Sequence, residues 1–514
     1  MRNMAAIVQA LPEDKCLPAS FDADRLPLSI IREGVVILKS VFFRHPLLPL
    51  ALASALALTP GCSGSSGDRL PSVHETSPGN GITPTVLKLA VQSSVHSQLL
   101  EELIRQYNLE HTDYQVELVS LPRERYDENL NMLLTSGQSP DIFQASPGWL
   151  STYVYKNWLM DLSNVAAPSI LAEYPEWAID YSRINNHFYS LPSELITLRL
   201  VYNKDLFAKA GLDPDSPPAT LDKLKETANL ISGRNTGYGI YGFALPGGDI
   251  ETYRLAMETA STSSSLYYFD FAKGSYDFTI YRSWFNTMLD LKKSGGLFPG
   301  ETTLMRETAL AQFRQGSIGM MHMTNREYLE LARNTTAVGT GIAIPPQTVP
   351  GSQTGALMVS IQHPFVISSG TPYVKEAGEL WNYLHSIDYL SKMYEQGELI
   401  PLPQKARLEA QSTPNWLKEF LPGEKESPYP REPKFIVSWT SGDTIRMSSY
   451  SDIMAERAGP LDSLSQLTAQ HNQYLSDIVY KNYISLADYT EEDFDPLHPM
   501  RRYSRNTLDI QSPQ

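Results

Sequence analysis

The stretch that decides the fold is Val201-Tyr-Asn-Lys-Asp-Leu-Phe-Ala-Lys-Ala-Gly-Leu212. Asn203 stands where an apolar strand gives way to a helical pattern, and its short amide can cap that helix by accepting backbone N–H groups. Gly211 supplies the left-handed residue at which many helices end. The stretch predicts a strand followed by a capped helix, and the apolar segments at 188–191 and 198–202 predict that this strand pairs with the one before it.

Upstream of this stretch, apolar runs alternate with helical patterns. Residues 86–91 form a short apolar run, residues 98–107 carry leucines at helical spacing behind Ser97, and residues 116–119 alternate like a strand. A further strand is predicted at 140–143. Strands that alternate with helices indicate an α/β fold with largely parallel strands, in which ligands bind at the carboxyl ends of the strands.

The N-terminal part carries an export signal. Lys39 and Arg44 precede an apolar stretch at 46–59, and Gly61-Cys62 follows with a Ser/Gly run at 63–67. A positive stub, an apolar run of about 7–15 residues and a small residue before the cut are typical of a secretory signal. With a cysteine directly after the cut, the segment resembles a bacterial lipoprotein signal, in which Cys62 becomes the lipidated N-terminus. A simple cleaved secretory signal is the alternative.

Composition excludes some classes of function. The chain has 514 residues, with 57 acidic and 42 basic side chains and a net charge of −15. This balance argues against a nucleic-acid partner, whose phosphates require lysine and arginine surfaces. Only two cysteines occur, Cys16 and Cys62, so the exported part has no internal disulfide. Its length exceeds the roughly 250–300 residues that one core usually serves, which predicts two lobes.

No motif for catalysis or for a cofactor occurs in the chain. It lacks the G-x-S-x-G nucleophile elbow, the G-x-x-x-x-G-K-S/T phosphate loop and the H-E-x-x-H zinc motif. The histidines are scattered singly, and His322, in an apolar strand, is predicted to be a hydrogen-bonded core residue and not a metal ligand. We expect no cofactor and no metal, and any ATP hydrolysis must come from another subunit.

Four segments along the chain have a characteristic order. They are the helix-to-strand segment at 126–143, Leu191-Pro192 with the stretch at 201–212 and Pro217-Pro-Ala-Thr220, then Phe313-Arg-Gln-Gly-Ser-Ile-Gly-Met320, and the helix at 377–384. Together they resemble the bacterial extracellular solute-binding proteins of family 1, the binding components of ABC sugar importers. The likeness spans roughly residues 86–404.

This resemblance implies an α/β fold of two lobes, the type II periplasmic-binding-protein architecture, in which each lobe is a mostly parallel sheet flanked by helices. The lobes close on a ligand by bending at a hinge. We expect a leader and signal at 1–61, a tether at 62–85, one lobe at 86–196 and 346–400, the other at 197–345 and 401–500, and a tail at 501–514.

The resemblance also implies a role and partners. The chain is expected to be a monomeric, non-catalytic carrier that binds a carbohydrate, most simply an oligosaccharide, between its lobes. It delivers the sugar to an ABC permease that is served by a separate ATPase subunit. Its place is the extracellular face of the bacterial cell membrane, which it contacts only through the lipid at Cys62, and it binds no nucleic acid.

Sugars present flat C–H faces and rims of hydroxyl groups. A sugar site therefore needs aromatic platforms and side chains that form paired hydrogen bonds. Such residues occur near the predicted strand ends and lobe crossings, and no catalytic residue is assigned among them. The ligand-binding candidates are Ser94, Gln144, Ser146, Trp149, Glu194, Thr197, Asn325, Arg326 and Trp439.

Two other functions stay open at the level of sequence. A secreted glycoside hydrolase needs two carboxylates that flank a cleft, and nothing marks such a pair among the many acidic residues. A binding protein for another solute, such as a peptide, a polyamine or a phosphorylated compound, is the second alternative, although the negative net charge disfavours anions.

Overall fold

The computed structural model describes residues 85–93, 97–184, 187–234, 237–248, 250–334, 339–348, 353–362, 365–433, 436–437, 440–482 and 484–502. All of them belong to one compact unit of the chain, residues 81–514. None of the helices in these ranges is long and apolar enough to cross a lipid bilayer. The predictions for Cys62, Ser94 and Trp439 fall outside the described residues, as do those for the leader and nearly all of the tether.

The first sheet contains the predicted βαβ unit. Its strands, in spatial order, are β15 (Phe365–Ile367), β3 (Ile142–Gln144), β1 (Thr85–Gln92) and β2 (Tyr114–Leu121). Strand β1 runs parallel to β2 and β3, whereas β15 is antiparallel to β3. Helix α1 (Gln98–Glu110) connects β1 to β2, and the hydroxyl of Ser97 caps it by accepting from the backbone N–H of Leu100.

The second sheet has more mixed strand directions than predicted. Its strands, in spatial order, are β12 (Thr340–Ala343), β7 (Leu198–Asn203), β11 (Ile318–Thr324) and β8 (Tyr241–Ala244). Only β8 and β11 are parallel, and β7 is antiparallel to both of its neighbours. Strand β7 enters this sheet from the hinge side and runs opposite to β8 and β11, which are connected through helices and can therefore lie parallel.

One predicted strand pair is wrong. The apolar segment at 188–191 does not pair with the strand at 198–202, because β5 (His187–Phe188) forms a small hairpin with β4 (Arg183–Ile184). The strand at 198–202 lies within β7, whose partners come from much later in the chain. Local apolar patterns therefore identified the strand but not its neighbours.

A short third sheet, which we call the hinge sheet, joins the two lobes. Its central strand is β6 (Glu194–Ile196), and β14 (Ser360–Gln362) and β16 (Ile400–Pro401) flank it in antiparallel pairing. Strand β6 continues almost at once into β7 of the second sheet, and β14 precedes β15 of the first sheet. The chain therefore passes between the lobes through this sheet.

The decisive stretch folds as predicted. Helix α6 (Lys204–Lys209) begins at Asn203, whose side-chain oxygen accepts from two backbone N–H groups of the first turn at 3.0 and 3.1 Å. Gly211 has a φ of 75°, the left-handed conformation predicted for it. The hydroxyl of Thr220 then caps α7 (Leu221–Arg234) at 3.2 Å. These local contacts fix where β7 ends and how the next two helices start.

The remaining elements flank the three sheets. The other helices are α2 (Tyr126–Thr135), α3 (Pro147–Tyr155), α4 (Pro168–Leu171), α5 (Glu176–Tyr181), α8 (Ile250–Thr262), α9 (Arg282–Ser294), α10 (Arg306–Arg314), α11 (Asn325–Asn334), α12 (Val374–Leu384), α13 (Ile387–Glu395), α14 (Gln404–Glu409), α15 (Asn415–Lys418), α16 (Gly442–Met454) and α17 (Pro460–Tyr480). The other strands are β9 (Phe269–Asp270), β10 (Ser275–Tyr276), β13 (Leu357–Met358), β17 (Glu426–Ser427), β18 (Ile436–Val437) and β19 (Thr440–Ser441).

Two large apolar cores and a smaller one lie under these elements. The first core carries the first sheet and Trp381, and the second carries α7, α8, α9 and Trp284. Both tryptophans are fully buried. The first core also takes in Ala406, Leu417 and Phe420, which lie in the segment expected to belong to the second lobe. The exact lobe boundaries remain a prediction.

His322 lies in the core, as predicted, but without hydrogen bonds. Its side chain is 3% exposed, and its ring packs edge-to-face against Phe243 with 5.4 Å between the ring centroids. Neither ring nitrogen has a hydrogen-bond partner among the described residues. Burial lowers the pKa of His322 to about 4, so the ring is neutral at physiological pH.

Candidate ligand-binding cleft

A cavity lies where three strands of the two lobes end. Gln92 ends β1, Gln144 ends β3 and Thr324 ends β11, and all three residues line the cavity. The carboxyl ends of strands are the places where α/β proteins bind ligands. Glu194 and Ile196 of the hinge sheet form another wall, so this cleft lies between the lobes and against the hinge. Its volume is about 60 Å³.

Gln144, one of the predicted residues, is held firmly at the cleft. Its side chain is 2% exposed, and its Oε1 accepts from the backbone N–H of Gln92 at 3.1 Å. The hydroxyl of Tyr126 donates to the backbone carbonyl of Gln144 at 2.8 Å. Because Oε1 is engaged, the Nε2 group is the part of this amide that can donate to a ligand.

Glu194 and Arg326, also predicted, form a two-point ion pair in the cleft. Nε of Arg326 donates to Oε1 of Glu194 at 2.7 Å, and Nη2 donates to Oε2. The Glu194 side chain is 4% exposed and that of Arg326 is 20% exposed. The pair joins the hinge sheet to the start of α11. It offers a paired set of donors and acceptors to anything that enters the cleft.

Three further arginines line the cleft, and the sequence analysis missed them. They are Arg123, Arg306 and Arg333. Arg333 pairs with Glu398, and Nη2 of Arg306 lies 2.8 Å from Glu307 and 3.4 Å from Glu330. With Arg326, four guanidinium groups face three lining carboxylates, those of Glu194, Glu330 and Glu398. Glu307 adds a fourth carboxylate next to Arg306, so the charges around the cleft balance, although the chain as a whole is strongly negative.

Burial changes the pKa of a tyrosine in the wall of the cleft. Tyr389 lines the cavity and is 2% exposed. Burial, and in smaller part the charges of Glu194 and Glu398, raise the pKa of Tyr389 far above its usual value. Its phenol therefore stays protonated and can donate a hydrogen bond at any physiological pH.

Thr197 and Asn325 are placed where they hold the hinge. Both are almost completely buried. The Thr197 hydroxyl donates to the backbone carbonyl of Phe420 at 2.5 Å, and Oδ1 of Asn325 accepts from the backbone N–H of Thr197 at 3.1 Å. Neither residue is among those that line the cavity. In this structure their polar groups serve the junction between β6 and α11.

Ser146 and Trp149 lie next to the cleft, at the start of α3. The Ser146 hydroxyl donates to Oδ1 of Asp127 at 2.6 Å, and burial raises the pKa of Asp127. Trp149 is partly buried and stacks on Tyr153 with 6.1 Å between the ring centroids. These two predicted residues are not part of the cavity wall, and their role in binding remains a prediction.

Of the cleft residues that were not predicted, some could have been identified from the sequence and others could not. Gln92 directly follows the predicted strand at 86–91, so the rule about strand ends could have identified it. Arg306 and Arg333 lie at the start of α10 and near the end of α11, and only the packing of these helices brings them to the cleft. Across the described ranges, no group of three or more His, Cys, Asp or Glu side chains is placed to hold a metal ion.

These features define a class of protein. Two α/β lobes joined by a hinge sheet, with a polar cleft between them, form a two-lobed binding protein. The model of the bacterial extracellular solute-binding protein family matches residues 93–389, more than half of the chain. The chain belongs to this family, whose members are binding proteins that act outside the cytoplasm.

Individual relatives and structures agree with this assignment. A binding protein of Brucella abortus (strain 2308) is 24% identical over 328 residues, which is 62% of this chain and 75% of that protein. The sn-glycerol-3-phosphate-binding periplasmic protein UgpB of Pectobacterium atrosepticum is 31% identical over 156 residues, 27% of this chain and 33% of that protein.

The architecture is also similar to solved structures. The GacH receptor of Streptomyces glaucescens, solved without ligand and in complex with acarbose, gives a TM-score of 0.65 at 16% identity. The match covers 77% of this chain and 99% of that chain. The predicted type II periplasmic-binding-protein fold is confirmed.

Proposed function

We propose that this chain is the substrate-binding component of an ABC importer and carries a carbohydrate in the cleft between its lobes. The observation that carries the proposal is the largely buried two-point pair of Glu194 and Arg326, which lines the cavity together with Gln144. Carboxylate and guanidinium groups side by side can accept from and donate to adjacent sugar hydroxyls, as carbohydrate recognition requires. The acarbose complex of the similar GacH receptor supports this ligand class.

Ligand entry requires the lobes to part. A cavity of about 60 Å³ is too small for a sugar ring, so the cleft as it stands is closed over its own side chains. Opening at the hinge sheet separates Gln144 from Arg326 and makes room for the ligand. The measured affinity then includes the free energy of closing the lobes. A permease can recognise the closed form and receive the ligand unaltered.

A phosphorylated polyol is a second candidate ligand. Four arginines line the cleft against three carboxylates, and guanidinium groups bind phosphate in two-point geometry. The relative that binds sn-glycerol-3-phosphate supports this possibility. The net charge of the whole chain argues only weakly against an anion here, because screening limits the reach of distant charges to about 10 Å and the arginines of the cleft lie much closer.

The proposal includes a lipid anchor at Cys62, which is based on the N-terminal sequence. The apolar run before Cys62 and the Ser/Gly tether after it support a lipid-anchored protein on the outer face of the cell membrane, with a permease and a separate ATPase as partners. One lipid chain alone holds a protein only weakly, so stable anchoring needs more than one acyl group.

The experiment is calorimetry of the exported protein with three probes: maltotriose, acarbose and sn-glycerol-3-phosphate. We expect Glu194→Gln to weaken binding of the carbohydrate about tenfold to a hundredfold, the effect of losing one or two charged hydrogen bonds. Glu226→Gln is the matched control, since Glu226 forms an exposed ion pair with Lys223 at 2.6 Å on the surface of the second lobe.

The outcomes separate the candidates. Binding of a sugar by the parent protein, with no hydrolysis after long incubation, supports the carrier. Release of shorter sugars indicates the hydrolase instead. Binding of sn-glycerol-3-phosphate alone selects the second candidate, and equal affinity in the parent protein and Glu194→Gln removes the cleft from consideration.

A further inference from the structure

A second and larger cavity lies on the other face of the hinge sheet. Along β6, Glu194 and Ile196 line the cleft, whereas Leu195 between them lines this second cavity. Neighbouring residues of a strand point to opposite faces, so the hinge sheet separates the two cavities. The second cavity has a volume of about 520 Å³, within the range of roughly 300–1,000 Å³ that is typical of ligand pockets.

The walls of this cavity combine an apolar floor with an aromatic side. Leu195, Val359 and Leu402 are buried and form the floor. Trp177 of α5 is partly buried against the first core and lines the side, next to Pro175. An indole ring over an apolar floor is a platform for the flat C–H face of a sugar ring.

Polar groups converge on the same cavity from α14. Nη1 of Arg407 donates to the backbone carbonyls of Pro401 and Leu402, which fixes the guanidinium group. Its Nε and Nη2 groups donate no hydrogen bond within the described part of the chain, and Arg407 lines the cavity. The exposed amide of Gln404 lines the cavity beside it and supplies both a donor and an acceptor.

The carboxylates of the cavity are already neutralised by protein groups. Oε1 of Glu173 lies 2.6 Å from Nζ of Lys405, and Glu426 is held by Arg199 at 2.7 Å. The two carboxylates of the wall are therefore each paired with a cation behind it, and Arg407 is the remaining charged lining residue. Such a wall suits a ligand with many hydroxyl groups and little or no charge, and it gives a cation no site.

We propose that the cavity behind the hinge sheet is a second saccharide site, in which a sugar ring stacks on Trp177 and its hydroxyls bind Arg407 and Gln404. This inference shares its ligand class with the proposed function but uses different residues. A chain with both sites can hold one stretch of saccharide in the cleft and a second one outside it.

The test uses the exported protein and saturation-transfer NMR with maltotriose and acarbose. In the Glu194→Gln variant, whose cleft is weakened, we expect residual saccharide contact that weakens at least tenfold in Glu194→Gln/Trp177→Ala. Trp177→Phe keeps an aromatic platform and should retain most of the contact. Leu408→Ala is the matched control, because Leu408 is 75% exposed, adjoins Arg407 and does not line the cavity.

Each result decides between the sites. Loss of contact on Trp177→Ala and Arg407→Gln, with unchanged circular dichroism, supports the second site. If Glu194→Gln reduces binding while both of these variants bind like the parent protein, the second site is wrong and the proposed function stands. If only Trp177→Ala and Arg407→Gln reduce binding, the second site stands and the cleft assignment is wrong. Absence of any saccharide contact overturns both.

Discussion

The buried ion pair of Arg199 and Glu426 allows a quantitative prediction. Arg199 follows the hinge sheet on β7, and its side chain and that of Glu426 are 3% and 6% exposed. Its guanidinium group donates to both carboxylate oxygens of Glu426, at 2.7 and 3.0 Å. It also donates to the backbone carbonyls of Leu198, Glu419 and Leu421. One side chain thus fastens residues 419–426 to the second sheet.

We predict that Glu426→Gln lowers the free energy of unfolding by about 3 kcal/mol. Removing one partner of a buried ion pair costs about 3–5 kcal/mol, because the other charge stays buried without compensation. The lower end applies here for two reasons. The three backbone carbonyls continue to solvate the guanidinium group, and the glutamine oxygen can still accept from one of the two donors. The glutamine NH₂ group, in contrast, faces a second donor and repels it.

The assay is urea unfolding followed by far-ultraviolet circular dichroism and by tryptophan fluorescence, in low and in high salt. Agreement of the two probes justifies a single free energy for this two-lobed chain. Asp215→Asn is the control, since Asp215 pairs with Lys204 at 2.7 Å but is 81% exposed. It should show no measurable change, and the Glu426→Gln effect should persist in high salt, because burial limits screening.

The reasoning would be refuted by a Glu426→Gln variant as stable as Asp215→Asn. Such a result means that the guanidinium group is either solvated by water or sufficiently served by backbone carbonyls. A large effect that disappears in high salt would likewise contradict burial of the pair, since only accessible charges are screened efficiently.

Two further predictions concern the core and the anchor. The pKa of His322 is lowered to about 4 by burial, below the value of about 6.5 in the unfolded chain. The unfolded state therefore binds more protons in this window, and stability is lost as the pH falls from about 6.5 to about 4. Between neutral pH and pH 4 to 4.5, the free energy of unfolding of His322→Leu should fall by about 2–3 kcal/mol less than that of the parent protein. Urea unfolding at both pH values measures this difference. An equal fall in both proteins would contradict the prediction. Cys62→Ser should move the protein from the membrane fraction of a producing bacterium to the medium or periplasm, and an unchanged membrane fraction would exclude the lipid anchor.

Much of the fold could be predicted because its signals are local. Ser97 and Asn203 cap the helices that their sequence positions indicate, and the alternation of strands and helices identifies the first sheet. The pairing of β7 could not be predicted. Its neighbours β11 and β12 lie more than a hundred residues downstream, and apolar periodicity contains no information about which strand lies beside which.

In the candidate site, too, local sequence signals could be predicted and long-range packing could not. Gln144 was predicted because it follows a strand, and Glu194 because it precedes a lobe crossing, and the cleft forms at such positions. Thr197 was selected for the same reason, but its hydroxyl is taken by the carbonyl of Phe420, more than two hundred residues away. Arg333 belongs to the cleft only because α11 packs there. Long-range packing decides whether a polar residue near a strand end faces a ligand or serves the scaffold.

The way in which the chain interleaves the two lobes affects how the protein can fold. The first sheet is incomplete until β15 is present, and the second core requires Tyr450 of α16 and Leu464 of α17. The first sheet and the second core each combine segments that lie far apart in the sequence, so neither is completed by one continuous stretch. The last of these core contacts can form only once the chain has been synthesised beyond Leu464.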